Sequence, residues 1–319
     1  MATARSKLLC PEVTPYYHCV SRCVRRSYLC GYDQLSGKSY EHRRAWVEQK
    51  MLSLAAVYCI DICSYSVMSN HYHLVVHVNK ESAAKLSDRE VIDRWCSLHK
   101  MPLQIYRFIE DNNTNQSERK QCLKIIKTWR ERLYSLSWFM KELNHHIAVQ
   151  ANKEDDCTGR FWEGRFKSQA LLDEKALISA MAYVDLNPIR ANIATKPENS
   201  RYTSVYMRLK QLAKNNKTPP NLAAFIGNKP KSVGGIPFLL RDYLELVDWV
   251  GKQLKVSGKG FIDNAEPPIL QRLALEPSEC LSLATQLEDK VRNWIGTKAR
   301  INDAKLQLNR KRLAAFEIS

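Results

Sequence analysis

The sequence predicts an α+β fold, a ferredoxin-like antiparallel sheet with helices on one face, and three observations carry that expectation. The first is the order of elements over residues 16–186: strand, helix, strand, strand, helix, strand, then a further helix. The second is Val67-Met-Ser-Asn-His-Tyr-His-Leu-Val-Val-His-Val78, whose Leu74-Val75-Val76 run marks a strand buried on both sides and therefore central. The third is the apolar stripe Leu133, Leu136, Phe139, Met140, Leu143 and Ile147, which makes residues 129–150 a strong helix.

Taken in order, residues 1–14 read as a loosely held arm. Residues 16–22 alternate and are rich in aromatic and β-branched side chains, so they make the first strand. Arg22, Arg25 and Arg26 stand at its end, placed either for phosphate contacts or as a solvated loop. Residues 40–57 space Ala45, Trp46, Leu52, Ala55 and Ala56 as a helix does. Residues 60–67 and 71–78 form a hairpin through Ser69-Asn70, which is turn chemistry. Residues from about 80 to 130 are more polar and read as a helical insertion, a lid on the core, with a capped helix beginning at Ser87.

After a polar loop at 152–159, residues 160–172 alternate again and complete a four-stranded sheet. Asp173 caps the next helix, which should end or kink at Asn187 because Pro188 disfavours the α conformation in the residue before it. The division expected is a catalytic domain over 1–204, a connector over 205–235 and a helical C-terminal extension over 236–319.

Composition narrows the function. The net charge of +16, from 49 Lys and Arg against 33 Asp and Glu, favours a polyanionic partner bound through counterion release. No apolar run approaches the ~18 residues of a membrane span, and no basic amphipathic stripe suits a membrane surface. Ten scattered cysteines without a Cys-x-x-Cys read as reduced thiols, and a cytoplasmic protein is expected.

The chemistry-bearing residues fall in three groups. On a strand, His71 and His73 share a face about 7 Å apart, close enough to lean onto one cation. Tyr72 takes the opposite face, and His77 reads as core or as support behind the histidines. His145 and His146 read as structural or surface groups. The run Gly159-Arg-Phe-Trp-Glu-Gly-Arg-Phe-Lys interleaves Arg160, Arg165 and Lys167 with Phe161, Trp162 and Phe166. Such a run suits a single strand whose bases stack while its backbone meets cations, the alternative being that the rings are core. The third group is Tyr183 and Asn187, four residues apart and so on one helix face, with Asp185 facing elsewhere.

His71-Tyr72-His73 on a central strand, followed about a hundred residues on by Tyr183-Val-Asp-Leu-Asn-Pro188, resembles the single-tyrosine HUH transposases, and within them the REP-associated tyrosine transposases. The resemblance runs from about residue 16 to 204; Tyr72 is less apolar than usual between the histidines, and Ser69 stands where proline is common. It implies a bacterial DNA strand transferase that cleaves and rejoins single-stranded or hairpin-ended DNA. Tyr183 would be the nucleophile, with a 5′-phosphotyrosine intermediate and a divalent metal, Mg²⁺ or Mn²⁺. The metal would be held by His71, His73 and Asn187, the last being otherwise a helix C-terminal residue. Arg190 joins the expected DNA contacts, and the protein is expected as a monomer or homodimer without a membrane partner. Two other classes compete: a non-catalytic or domesticated nucleic-acid-binding protein on the same fold, and a metal-dependent nuclease that uses water.

Overall fold

In a computed structural model that describes residues 8–24, 29–34, 37–110, 115–215, 218–227, 235–256, 266–288 and 292–318, the strands are β1 (Tyr16–Arg22), β2 (Ile60–Val67), β3 (His71–Val78), β4 (Lys167–Leu171), β5 (Trp294–Thr297) and β6 (Ala315–Ile318). They join in one sheet in the order β2-β3-β1-β4-β5-β6. The first four pair antiparallel, whereas β4–β5 and β5–β6 are parallel, so the sheet is mixed rather than antiparallel throughout.

The helices are α1 (Arg43–Val57), α2 (Lys80–Lys85), α3 (Asp88–Cys96), α4 (Leu103–Glu110), α5 (Gln116–Leu133), α6 (Leu136–Glu154), α7 (Glu174–Asp185), α8 (Asn187–Arg190), α9 (Ser204–Asn215), α10 (Leu240–Val256), α11 (Pro268–Arg272), α12 (Pro277–Gln286) and α13 (Lys298–Gln307). They cover both faces, which corrects the expectation of helices on one. Tyr17, Tyr72, Leu74 and Val76 pack against Met51 and Leu54 of α1 and against Phe139 and Leu143 of α6. On the other face Val75, Leu171 and Ile295 meet Leu177, Met181 and Val184 of α7, backed by α10 and α12. The cause lies in β3 itself. Its unbroken apolar run needs cover on both sides, and exposing Val75 alone would forfeit about 2 kcal/mol.

A bulge in β2 keeps that pattern in step. Ile62 pairs with Val76 and Ser64 with Val75, leaving Cys63 as the extra residue, so Tyr65 and Val67 return to the α1–α6 side. Arg208 of α9, fully buried, donates to the Cys63 and Ala223 carbonyls at 3.0 Å each and so satisfies the bulged backbone.

The expected insertion is helical, with Ser87 and Glu90 forming a capping box at the start of α3. It is not a lid over the histidines. Helices α2 to α5 bury their own small core around Trp95, Ile126 and Trp129, with Cys59 as the link. They attach where Asn79 N–H donates to the Cys59 carbonyl and Cys59 N–H to Leu133, at the Val78 end of β3.

The C-terminal segment is likewise not a helical appendage alone. It adds β5 and β6 to the sheet, and α12 packs along α7. Gly296 permits this junction, since a Cβ there would stand 2.7 Å from Leu172 Cβ and 3.0 Å from Asp173 Oδ2. Among the described residues no helix is long and apolar enough to cross a membrane, and no disulfide joins the cysteines.

Candidate metal and nucleophile site

Strand alternation puts His71 and His73 on the α7 side of β3 and Tyr72 on the α6 side. Antiparallel pairing sets Arg22 opposite His71 and Val20 opposite His73. The two imidazoles meet edge to face with centroids 4.7 Å apart. His71 Nδ1 lies 2.5 Å from Asn70 Oδ1. His73, wholly buried, has its Nδ1 3.1 Å from His18 Nε2, and His18 Nδ1 is in turn 2.8 Å from Gln169 Oε1.

Glu288 arrives from beyond α12. Its Oε2 accepts from Arg22 Nη2 at 3.2 Å, and its Oε1 stands 3.7 Å from His73 Nε2, outside hydrogen-bond reach. His71, His73 and Glu288 offer ligand atoms within 4.8 Å of one another and form a group able to hold a metal ion. The chemistry fits: two imidazoles and a carboxylate suit a divalent ion, and His73 Nε2 is a buried nitrogen with no hydrogen-bond partner.

Helix α7 begins at Asp173, whose Oδ1 accepts from Ala176 N–H at 3.0 Å, and it is buried along almost its whole length. Tyr183, 2% exposed, turns its ring edge-on to His73 at 5.6 Å and to His18 at 5.9 Å between centroids. The Arg190 guanidinium lies over that ring, 4.1 Å from its centre. The helix stops after Asp185, and α8 restarts with Asn187 and Pro188, as the proline requires. Asn187 Oδ1 accepts from Arg190 Nη2 at 3.0 Å while its buried Nδ2 has no partner; Arg190 Nη1 also donates to the Thr285 carbonyl. The oxygen nominated as a ligand is therefore held by a guanidinium, and Glu288 is the carboxylate beside the histidines.

Asp185 points the other way, as its position two residues from Tyr183 demands. It accepts from Ser204 Oγ at 2.7 Å, Val205 N–H at 3.0 Å and Tyr243 Oη at 2.5 Å, tying α7 to α9 and α10. Burial pushes its carboxyl up to about 6 against the opposing pull of those donors.

The same burial disfavours charged imidazoles. It lowers His71 to about 3, with Arg22, Arg190 and His18 adding repulsion, and lowers His18 to about 4. His73 falls well below its ordinary range, through burial first and then through His71, His18 and the two arginines. Neutral rings with free lone pairs are the form in which histidine binds metals.

No protein-family model matches this chain, and no curated protein matches it. Among solved structures, one of a REP-associated tyrosine transposase bound to a REP hairpin is similar at 11% identity and a TM-score of 0.35, over 72% of this chain and 95% of that one.

Of the expected DNA contacts, Arg22 pairs with Glu288, and Arg25 and Arg26 lie outside the described residues. Arg160, Arg165 and Lys167 are exposed, and Lys167 pairs with Val20, the residue opposite His73. Phe161 and Phe166 are buried. Trp162 is half-buried on the α6 side, edge-on to Tyr72, and its Nε1 donates to the Asn144 carbonyl at 2.8 Å. Its ring packs in the fold, away from the histidines. His77 sits at the far end of β3 against Asp61 at 2.8 Å, and His145 and His146 are exposed.

Sequence reading missed His18, Gln169 and Glu288. A signal existed for the first two: pairing β1 and β4 with β3 at a period of two puts His18 and Gln169 on the histidine side. Nothing near Glu288 distinguishes it in sequence.

Proposed function

We propose that this chain is a DNA strand transferase that cleaves and rejoins single-stranded or hairpin-ended DNA through Tyr183, with a divalent metal, Mg²⁺ or Mn²⁺. The observation that carries the reading is the Tyr183 ring set against His73 and His18, beside a His–His–Glu group. The basic balance of +16 supplies the attraction for DNA.

His71, His73 and Glu288 would hold the metal, with Asn187 a candidate oxygen ligand once Arg190 turns to a phosphate. A bound divalent ion supplies Lewis-acid polarisation of the scissile phosphate. Arg22 and Arg190 flank the histidines and place positive charge where the phosphate oxygens would lie. The Tyr183 oxygen forms the bond to phosphorus and gives up its proton; the P–O3′ bond breaks, and the departing 3′ oxygen takes a proton. The 5′-phosphotyrosine keeps the phosphodiester energy, so attack by a 3′-OH rejoins the strand without a nucleotide cofactor. Arg160, Arg165 and Lys167 serve the DNA backbone on this reading, and the catalytic unit extends past the expected 1–204 boundary to take in Glu288.

One observation favours a second reading. Tyr183 is 2% exposed beneath Arg190, and a metal-dependent nuclease using water needs no access to it. A non-cleaving DNA-binding protein needs neither. Incubation with a labelled oligonucleotide and Mn²⁺, followed by a denaturing gel, separates the three. The proposal expects a covalent adduct that disappears in Tyr183→Phe and survives in Tyr72→Phe and Tyr202→Phe. Tyr183→Phe should cost less than about 1.5 kcal/mol of stability, as a near-isosteric change. Cleavage without an adduct would establish the water mechanism instead.

A further inference from the structure

Gln169 is oriented by its surroundings. Its Nε2 faces two carbonyl oxygens, Leu287 at 3.3 Å and Arg292 at 3.1 Å, which only accept hydrogen bonds. The amide nitrogen must therefore point to them, and the amide oxygen is the atom 2.8 Å from His18 Nδ1. An oxygen there requires a proton on His18 Nδ1. The neutral ring then presents a lone pair at Nε2, and that atom lies 3.1 Å from His73 Nδ1. A lone pair on His18 requires a proton on His73 Nδ1. The two rings are nearly parallel, 7° between planes, which suits such an N–H···N bond.

The last atom in the chain is His73 Nε2, buried, without a hydrogen-bond partner and 3.7 Å from Glu288 Oε1. We infer that Gln169 and His18 form a relay that fixes His73 in the Nδ1–H tautomer and so leaves its Nε2 lone pair facing the metal. The inference rests on the reading of His73 as a ligand. Both carbonyls that start the relay flank Glu288 in sequence, so the same segment delivers a carboxylate to the metal and sets the tautomer of the imidazole beside it. His18 and Gln169 are positioning residues: they act through His73. Supports of this kind behind a metal-bound histidine fix its ring and tautomer, and their loss typically weakens metal binding about 10- to 100-fold.

The test uses the full chain with ¹⁵N-labelled histidine, in which long-range ¹H–¹⁵N correlation spectra distinguish the two neutral tautomers directly. Variants at His18 and His73 assign the signals. The metal-free protein should show Nδ1–H on both rings; a proton on His73 Nε2 overturns the relay without any need of a mutant. Gln169→Leu removes the acceptor. It should mix the His73 tautomers and weaken Mn²⁺ binding, followed by calorimetry, by about 10- to 100-fold. Unchanged tautomers and unchanged affinity in Gln169→Leu would equally overturn it. If the unaltered chain binds no Mn²⁺, the metal reading itself fails, and the tautomer spectrum still decides the relay.

Discussion

On the α6 side of β3 the Tyr72 hydroxyl donates to Asn144 Oδ1 at 2.6 Å, Asn144 Nδ2 donates to Ser21 Oγ at 3.0 Å, and Trp162 Nε1 donates to the Asn144 carbonyl at 2.8 Å. One residue along and on the other side, His73 keeps a buried Nε2 with no hydrogen bond, and Asn187 a buried Nδ2 in the same state. Burying a polar atom unpaired costs on the order of 1–3 kcal/mol, so a fold without another use for it would be expected to pair it. An orphan alone does not mark a site, since Tyr58, Ser64 and Ser66 also bury unpaired hydroxyls. What separates His73 is the company: a second imidazole, a carboxylate and two guanidiniums converge on it. The α6 side pairs its polar atoms around Asn144, whereas the α7 side gathers a group able to hold a metal ion.

The largest expected effect tests that division at the histidines. Replacing His71 and His73 together with Ala should cut Mn²⁺-dependent cleavage by on the order of 10⁴-fold, because the ion's stabilisation of phosphate charge goes with them. DNA affinity should stay within a few-fold, since it comes from phosphate contacts spread over the surface. Cleavage at full rate by the double variant would leave the unpaired nitrogen without a role.

Asp185 sharpens the comparison, because it lies on the α7 side of the sheet yet has its carboxylate filled by three donors. Asp185→Ala would strand the Ser204 and Tyr243 hydroxyls and the Val205 N–H in the core and leave buried Arg208 without its nearby negative charge. A loss of about 3 kcal/mol in urea unfolding is expected. A neutral result would mean that saturation of hydrogen bonds does not distinguish structural from functional groups here.

Much of this was legible in the chain. The period-two run around His71 gave a central strand and the side each residue takes, while Tyr183 and Asn187, nominated by their four-residue spacing, each meet Arg190. Pro188 marked the break between α7 and α8. The Leu74-Val75-Val76 run also implied cover on both faces, a consequence the one-sided fold expectation did not follow. Other features were hidden for physical reasons. β5 and β6 have four residues each, too few to show a period, and β5 pairs parallel with β4, a partner far away in sequence. Glu288 is an ordinary acid in a polar stretch until β5 docks on β4 and brings it to His73. Trp162 shares a basic run with exposed cations, and only its packing on Tyr72 sets the ring apart from them.

Trp162→Ala tests that separation at a middling size. The ring is half-buried on Tyr72, and its N–H is bonded, so its loss should cost about 2 kcal/mol of stability. Single-strand affinity measured well below the melting temperature should change little. A large loss of affinity with no loss of stability would move Trp162 across to the ligand side of the comparison.

The smallest effect concerns the exposed cations next to it. Arg160 and Arg165 are exposed. Replacing both with Ala should therefore leave thermal unfolding within about 0.5 kcal/mol of the parent, as surface changes do. If each meets a phosphate, the slope of log affinity against log salt should become shallower by about 0.7 per contact on a single strand. Affinity near physiological salt would fall several-fold, by equal amounts for oligonucleotides of different sequence, because phosphate contacts carry no base information. Lys167 gives the graded control, since its strand position pairs with Val20, the neighbour of His73. Lys167→Ala should shift the salt slope by a similar step and also slow cleavage at saturating DNA, whereas Arg160 and Arg165 should affect binding alone. Equal effects of all three on the saturated rate would show that the basic run and the histidine site work as one surface.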